Sequence, residues 1–292
     1  MALLAATAAA FALTEGAKLE PSPISHTYVT PVFSPGITTS EIRFRLRKRD
    51  HLSVWMTRGG KRVATVVAGR TFKAGVVDLV FSGISQTGVT LPQGPYVPVV
   101  HFGRSHRTIT IPSTTRIDTK PPVIHFPKRR HAVISPDGDG RKDSYSVHYT
   151  VNEPAHGILL VDGKTFEVTR SQKLSGELVW RGRIGGRLAS VGNHVLSISA
   201  RDEAGNTTKP FPFAIVQIRY IALGRARIPV RPGKRFAVGM SHDSSRVTWV
   251  LHGRHGTARG KTLHLRAPVT PGVYQLYVTV GRHSAKAAIV VG

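Results

Sequence analysis

The residues with the most chemical potential sit in one glycine-rich stretch, Asp137-Gly138-Asp139-Gly140-Arg141-Lys142-Asp143. Its carboxylates stand at the first, third and seventh positions, the opening spacing of a calcium loop. Gly138 and Gly140 let the backbone turn tightly enough for oxygens to converge. The continuation departs from the helical calcium hand. Ser144–Ser146 leads into an alternating stretch, the closing glutamate is missing, and Arg141 and Lys142 weaken the local negative field. Two readings fit. Asp137, Asp139 and Asp143 hold a structural calcium ion, or they form Asx turns that cap the following strand through side-chain-to-backbone hydrogen bonds.

A second constellation is Arg43, Arg45, Arg47 and Arg49. Their common parity predicts one face of one strand, a positive stripe about 20 Å long. Such a stripe suits an extended polyanion; equally, it is the solvated face of an edge strand that arginines protect from pairing. No aromatic residue shares the arginine face, since Phe44 has the other parity, and this disfavours specific nucleic-acid binding. Trp55 alternates out of phase with Val54 and Met56, which makes it a candidate surface contact, whereas Tyr149, Trp180 and Trp249 are expected in cores.

Catalytic constellations are not legible. His101 with His106, and His252 with His255, have no carboxylate partners nearby, and zinc needs three or four converging ligands. His242-Asp243-Ser244 holds the three residue types of a hydrolytic triad, but a triad draws them from separate elements. The chain lacks cysteine, so disulfides, thiolate metal sites and cysteine nucleophiles are excluded. Neither a nucleophile elbow nor a phosphate-binding glycine loop occurs. The expectation is a protein that is not an enzyme and needs no cofactor, structural calcium apart.

The charge points to polyanions. Lys plus Arg number 41 against 16 Asp plus Glu, a formal net charge of +25. The excess is uneven: 14 basic against 4 acidic residues in 26–122, 13 against 9 in 123–217, and 13 against 1 in 218–292. A field of this kind attracts anionic wall polymer, lipid or nucleic acid without discrimination.

The elements that must carry these side chains are strands. Ile42, Phe44 and Leu46 alternate with arginines; Val147, Tyr149 and Val151 with His148 and Thr150; Leu276 and Val278 with Tyr277 and Thr279. Turn signals such as Gly59-Gly60, Asp162-Gly163 and Pro271-Gly272 separate them. Landmarks recur at a spacing of about 100 residues, the size of one sandwich. Val32-Phe33-Ser34-Pro35 returns as Val133-Ile134-Ser135-Pro136, and Phe81-Ser82-Gly83 as Trp180-Arg181-Gly182. Gly94-Pro95-Tyr96 returns as Gly192-Asn193-His194 and again as Gly272-Val273-Tyr274. The expected fold is all-β: tandem immunoglobulin-like sandwiches at 26–120, 123–216 and 218–292, after an N-terminal apolar helix. Lys120-Pro121-Pro122 predicts a stiff linker between the first two.

Residues 132–208 resemble the FlgD/Vpr-type immunoglobulin-like domain. The opening phrase is Ile134-Ser135-Pro136-Asp137-Gly138-Asp139-Gly140, followed by Asn152-Glu153-Pro154-Ala155, the stretch from Gly176 to Trp180-Arg181-Gly182, and Asp202-Glu203-Ala204-Gly205-Asn206. Residues 32–111 resemble a diverged copy without the aspartate loop. The resemblance implies a seven-stranded sandwich with an accessory role in exported bacterial proteins and no catalytic residues. Ala2–Leu13 is almost wholly apolar, and residues 1–20 are expected to be an uncleaved membrane anchor, with a cleaved signal and secretion as the alternative. The expected function is a structural or adhesive envelope protein; the alternative is an accessory subunit that binds an anionic envelope polymer or an exported partner protein.

Overall fold

The computed structural model describes residues 21–127 and 130–292. Every regular element among them is a strand, and no described helix is long and apolar enough to cross a membrane. The expected anchor, residues 1–20, lies outside the described residues.

The first sandwich holds β1 (Ile24–Val29), β2 (Val32–Phe33), β3 (Ser40–Leu46), β4 (Asp50–Arg58), β5 (Lys61–Phe72), β6 (Gly75–Phe81), β7 (Gly94–Phe102), β8 (Arg107–Thr110) and β9 (Thr115–Ile117). One sheet runs β1-β3-β6; the other runs β2-β9-β7-β4-β5, with β8 on β7. Alternation decides the facing. Ile42, Phe44 and Leu46 of β3 bury against Leu52, Val54 and Met56 of β4, and Phe33, Phe81 and Tyr96 close the core. The strand β2 runs parallel to β9. With β1, β3 and β6 as A, B and E, and β9, β7, β4 and β5 as G, F, C and C′, the order is immunoglobulin-like.

The second sandwich holds β10 (Ile124–His125), β11 (Arg130–Ile134), β12 (Tyr145–Val161), β13 (Lys164–Val168), β14 (Lys173–Trp180), β15 (Arg183–Ile184), β16 (Arg187–Leu188), β17 (Gly192–Asp202) and β18 (Phe211–Ile218). Here one 17-residue strand, β12, supplies both B and C. Its first part, Tyr145–Thr150, pairs with β14, and Ala155–Val161 pairs with β17. The register breaks between Thr150 and Ala155, across the Asn152-Glu153-Pro154 phrase. Proline cannot donate to a ladder, so it falls where the chain passes from one partner to the other. Tyr149 is buried against two glycines: a Cβ on Gly157 or Gly176 would lie 2.3 or 2.7 Å from its phenol oxygen.

The third sandwich holds β19 (Ala222–Leu223), β20 (Arg227–Val230), β21 (Arg235–Ser241), β22 (Val247–Leu251), β23 (Arg254–Ala258), β24 (Thr262–Arg266), β25 (Gly272–Val280) and β26 (His283–Val291). Its sheets, β19-β21-β24 and β20-β26-β25-β22-β23, repeat the order of the first. Three separate cores result, one per pair of sheets. By contacts the chain parts into two compact units. One runs to Pro121 and takes in Glu203–Asn206; the other holds Pro122–Asp202 and Thr207–Gly292, and so contains the second and third cores.

The recurring landmarks have physical causes. Gly83 and Gly182 both take positive φ and pack on the Ser-Pro step: a Cβ would lie 2.6 Å from Pro35 Cγ in one and 2.5 Å from Pro136 Cγ in the other. Both carbonyls accept the same kind of bond, from the Leu91 amide at 2.8 Å and the Ala189 amide at 2.9 Å. The glycine–aromatic landmark is a tyrosine corner. Tyr96 donates to Pro92 O at 2.6 Å, and Tyr274 donates to Thr270 O at 2.9 Å, each four residues back. In the second sandwich His194 takes the place. Its Nε2 lies 2.8 Å from Ser190 O and its Nδ1 lies 2.7 Å from Asp162 Oδ2. Its two partners are a backbone carbonyl and a carboxylate, so the histidine keeps the corner contact and adds a second one.

Candidate anion-binding surface and the acidic loop

The arginine stripe is not one strand face. β3 ends at Leu46, so Arg47 and Arg49 stand in the turn that leads to β4. Within the strand both Arg43 and Arg45 are exposed, but Arg43 is engaged by Asp78 and Glu41. The alternating pattern continued past Leu46 only because turn residues also happened to be arginines.

The turn builds a different site. Arg47, Lys48 and Arg49 line a cavity of about 410 Å³ together with Arg104 from the turn after β7 and Arg107 at the start of β8. Asp50, the one acidic residue lining it, is buried and clamps the two turns. Its Oδ1 accepts from the His51 amide at 2.7 Å and from the Arg104 amide at 3.0 Å. The Gly103 amide adds a bond to His51 O at 2.8 Å. Arg47 is anchored on the other side: its amide donates to Pro23 O at 3.0 Å and its Nε to Ser22 O at 2.8 Å. Five cationic residues thus line the cavity beside one carboxylate, whose Oδ1 accepts from two amides. Such a concentration of positive charge raises the local potential and attracts anions. Sequence reasoning missed Arg104 and Arg107. The signal was the Gly103-Arg104 turn after an alternating stretch, but nothing in the sequence tied it to a turn 55 residues earlier.

The aspartates do converge. Carboxylate oxygens of Asp137, Asp139 and Asp143 lie within 4.8 Å of one another, a span that one hard cation could bridge. Their present partners are loop amides. Asp143 accepts from Gly138 and Gly140, both at 2.8 Å; Asp139 accepts from Arg141 at 2.8 Å and Asp137 from Asp139 at 3.3 Å. This is the Asx-turn geometry that caps a strand. Asp243 of the third sandwich joins the neighbourhood, bonded to Ser135 Oγ. Partial burial pushes the Asp137 carboxyl above its ordinary range, and Asp139, Asp243 and Asp143 add to the rise. Asp137 and Asp143 line a cavity together with Tyr220, Arg181 and Arg183. Tyr220 is buried, and its hydroxyl has no protein partner.

The remaining sequence candidates resolve locally. His242 turns both ring nitrogens toward backbone carbonyls, those of Ser244 and Gly260, and Asp243 faces Ser135, so the three triad types make a turn. Trp180 is fully buried and Tyr149 nearly so, as core residues. Trp249 is half-buried at the edge of its core. Trp55 lies on the outer face under the Arg62 guanidinium, 4.9 Å from the ring centre.

No protein-family model matches the chain, and no curated protein matches it in sequence. Among solved structures it is similar to fibronectin(III)-like modules of Clostridium thermocellum CbhA, at 15% identity and a TM-score of 0.37, over 66% of this chain and 94% of that one. Titin domains I67–I69 align over 93% of this chain and 99% of theirs, at 9% identity and a TM-score of 0.31. Extracellular domains 3–5 of Drosophila OTK align over 93% and 98%, at 12% identity and a TM-score of 0.23. The immunoglobulin-like assignment stands on the strand order and the tyrosine corners.

Proposed function

We propose that the chain is a non-catalytic, adhesive cell-envelope protein whose first sandwich holds an anionic polymer. The observation that carries this reading is the cavity at Arg47, Lys48, Arg49, Arg104 and Arg107. Two turns far apart in sequence are locked together by Asp50, and the lock serves to concentrate positive charge. Five cationic residues around one cavity raise the local positive potential, which draws an anionic polymer. The FlgD/Vpr-type phrases of residues 132–208 support an accessory role outside the cytoplasm, and the apolar residues 2–13 support attachment to the membrane. The second sandwich, with nearly balanced charge, acts as a spacer in this reading.

The test is binding of the full chain to polygalacturonate across a salt titration. Binding that weakens steeply with salt, and weakens further in the K48E/R49E/R104E variant, supports the reading. Equal binding by the wild type and that variant contradicts it.

A further inference from the structure

The third sandwich opens at one edge into a cavity of about 370 Å³, within the range of small-ligand pockets. Its floor is apolar: Leu251 and Leu265 are buried, and the half-buried Trp249 presents its ring. The ring needs room, and the chain provides it. Trp249 stands directly opposite Gly256 on β23, where a Cβ would lie 2.9 Å from Cζ2 of the indole. The rim is cationic, with Arg235, Arg254 and Arg266 exposed around the ring and no carboxylate among the lining residues.

The cations are also badly placed for stability alone. Arg235 and Arg266 are direct cross-strand partners between β21 and β24. Like charges directly opposite one another destabilise a sheet. Arg266 is held in position by its Nε, which donates to Gly233 O at 2.7 Å. Two arginines paired across the ladder and lining a cavity beside an aromatic ring suit an anion, since guanidinium binds carboxylate through paired N–H groups.

We propose, resting on the polyanion-binding reading above, that Trp249 and the guanidinium groups of Arg235, Arg254 and Arg266 bind one acidic sugar residue of a polysaccharide. The apolar face of the sugar ring lies on the indole, and its carboxylate reaches the arginines. A single strand of nucleic acid is the poorer fit. Surfaces that hold strands use a series of aromatic platforms for successive bases, and this cavity offers one large platform, Trp249, with the small imidazole of His264 as its other ring. The site is distinct from the turn cluster of the first sandwich and shares no residue with it.

The experiment uses the full chain and fluorescently labelled hexagalacturonate at about 20 mM salt, where ionic contacts are weakly screened. Oligothymidylate of equal charge serves as the second probe. W249L is expected to weaken hexagalacturonate binding about tenfold while leaving its salt dependence unchanged, because the lost contact carries no charge. The R235Q/R254Q variant, which changes only exposed side chains, is expected to weaken binding and to flatten the salt dependence. The double variant also guards against a folding defect in W249L. Hexagalacturonate binding that neither variant alters would overturn this inference and leave the first-sandwich reading standing. Absence of binding to any of the polyanions would overturn both. A dependence on Trp249 that is as large for oligothymidylate as for hexagalacturonate would assign the site to nucleic acid and overturn the sugar assignment.

Discussion

The outer two sandwiches and the middle one share a strand order but differ in the chemistry they place at their ends. The first lines a cavity with five cationic residues and one clamped carboxylate, and the third pairs two arginines across a ladder at a cavity that a tryptophan also lines. The second gathers three carboxylates in a loop and replaces the corner tyrosine with a histidine that faces an aspartate. One scaffold therefore tolerates opposite electrostatics, and in both loops a carboxylate that accepts backbone amides holds the turn, Asp50 in the first sandwich and Asp143 in the second. Function resides in the loops and sheet edges, and the fold alone does not reveal it.

Differences in packing give the largest expected effects. Trp180 is fully buried, so Trp180→Ala should cost about 3–5 kcal/mol of folding free energy in chemical denaturation. Trp55→Ala, on the outer face of the first sandwich, should cost less than about 1 kcal/mol. Comparable losses for the two would break the assignment of faces.

The matched glycines come next. Gly182→Ala and Gly83→Ala each add a Cβ within 2.6 Å of a proline ring at positive φ. Each should cost about 2–3 kcal/mol, and the two losses should be similar because the contacts are equivalent. A large loss in one and none in the other would show that the landmark repeats in sequence without repeating in structure.

The corners sharpen the comparison further. Tyr96→Phe removes a bond to Pro92 O and should cost about 1 kcal/mol. Tyr274→Phe should cost less, because its bond lies in a more exposed setting. His194→Phe should cost more than Tyr96→Phe, because it abandons both Ser190 O and Asp162. Thermal melts of the three variants under one condition decide the order.

The smallest effect is electrostatic. The Asp137 carboxyl is raised in the folded state, so its ionisation opposes folding. Its favourable contribution is full below the ordinary aspartate range and is lost as pH rises through the elevated value. Asp137→Asn should therefore raise the melting temperature slightly at neutral pH, and the gain should vanish in acid, where Asp137 is already protonated. A gain that persists in acid would assign the effect to something other than charge.

Much of the fold was legible because burial on one face of a strand writes itself as alternation. Ile42, Phe44 and Leu46, or Val147, Tyr149 and Val151, could be read directly. The repeat was legible as spacing, but its cause was not. That Gly182 exists to admit Pro136 is a contact between distant segments, and the corner role of His194 hides behind a change of residue type. The site was half legible. Arg47 and Arg49 were found by parity, for a strand that in fact ends at Leu46. Arg104 and Arg107 join them only through the pairing of β4 with β7, which local pattern does not specify. The aspartates were found and do converge, because glycine-rich loops fold locally.

The central claim is that positive charge in the first sandwich forms a site and is not background composition. The direct measurement compares two triple reversals in the full chain, binding duplex DNA as a polyanion of known charge density across a salt series. K48E/R49E/R104E changes the clamped turns, and K164E/K173E/R187E changes three exposed cations of the second sandwich. Both alter net charge equally. The account predicts that the first reversal weakens binding at least about tenfold and lowers the salt slope by about two to three, while the second changes both only slightly. Equal losses in the two variants would contradict it.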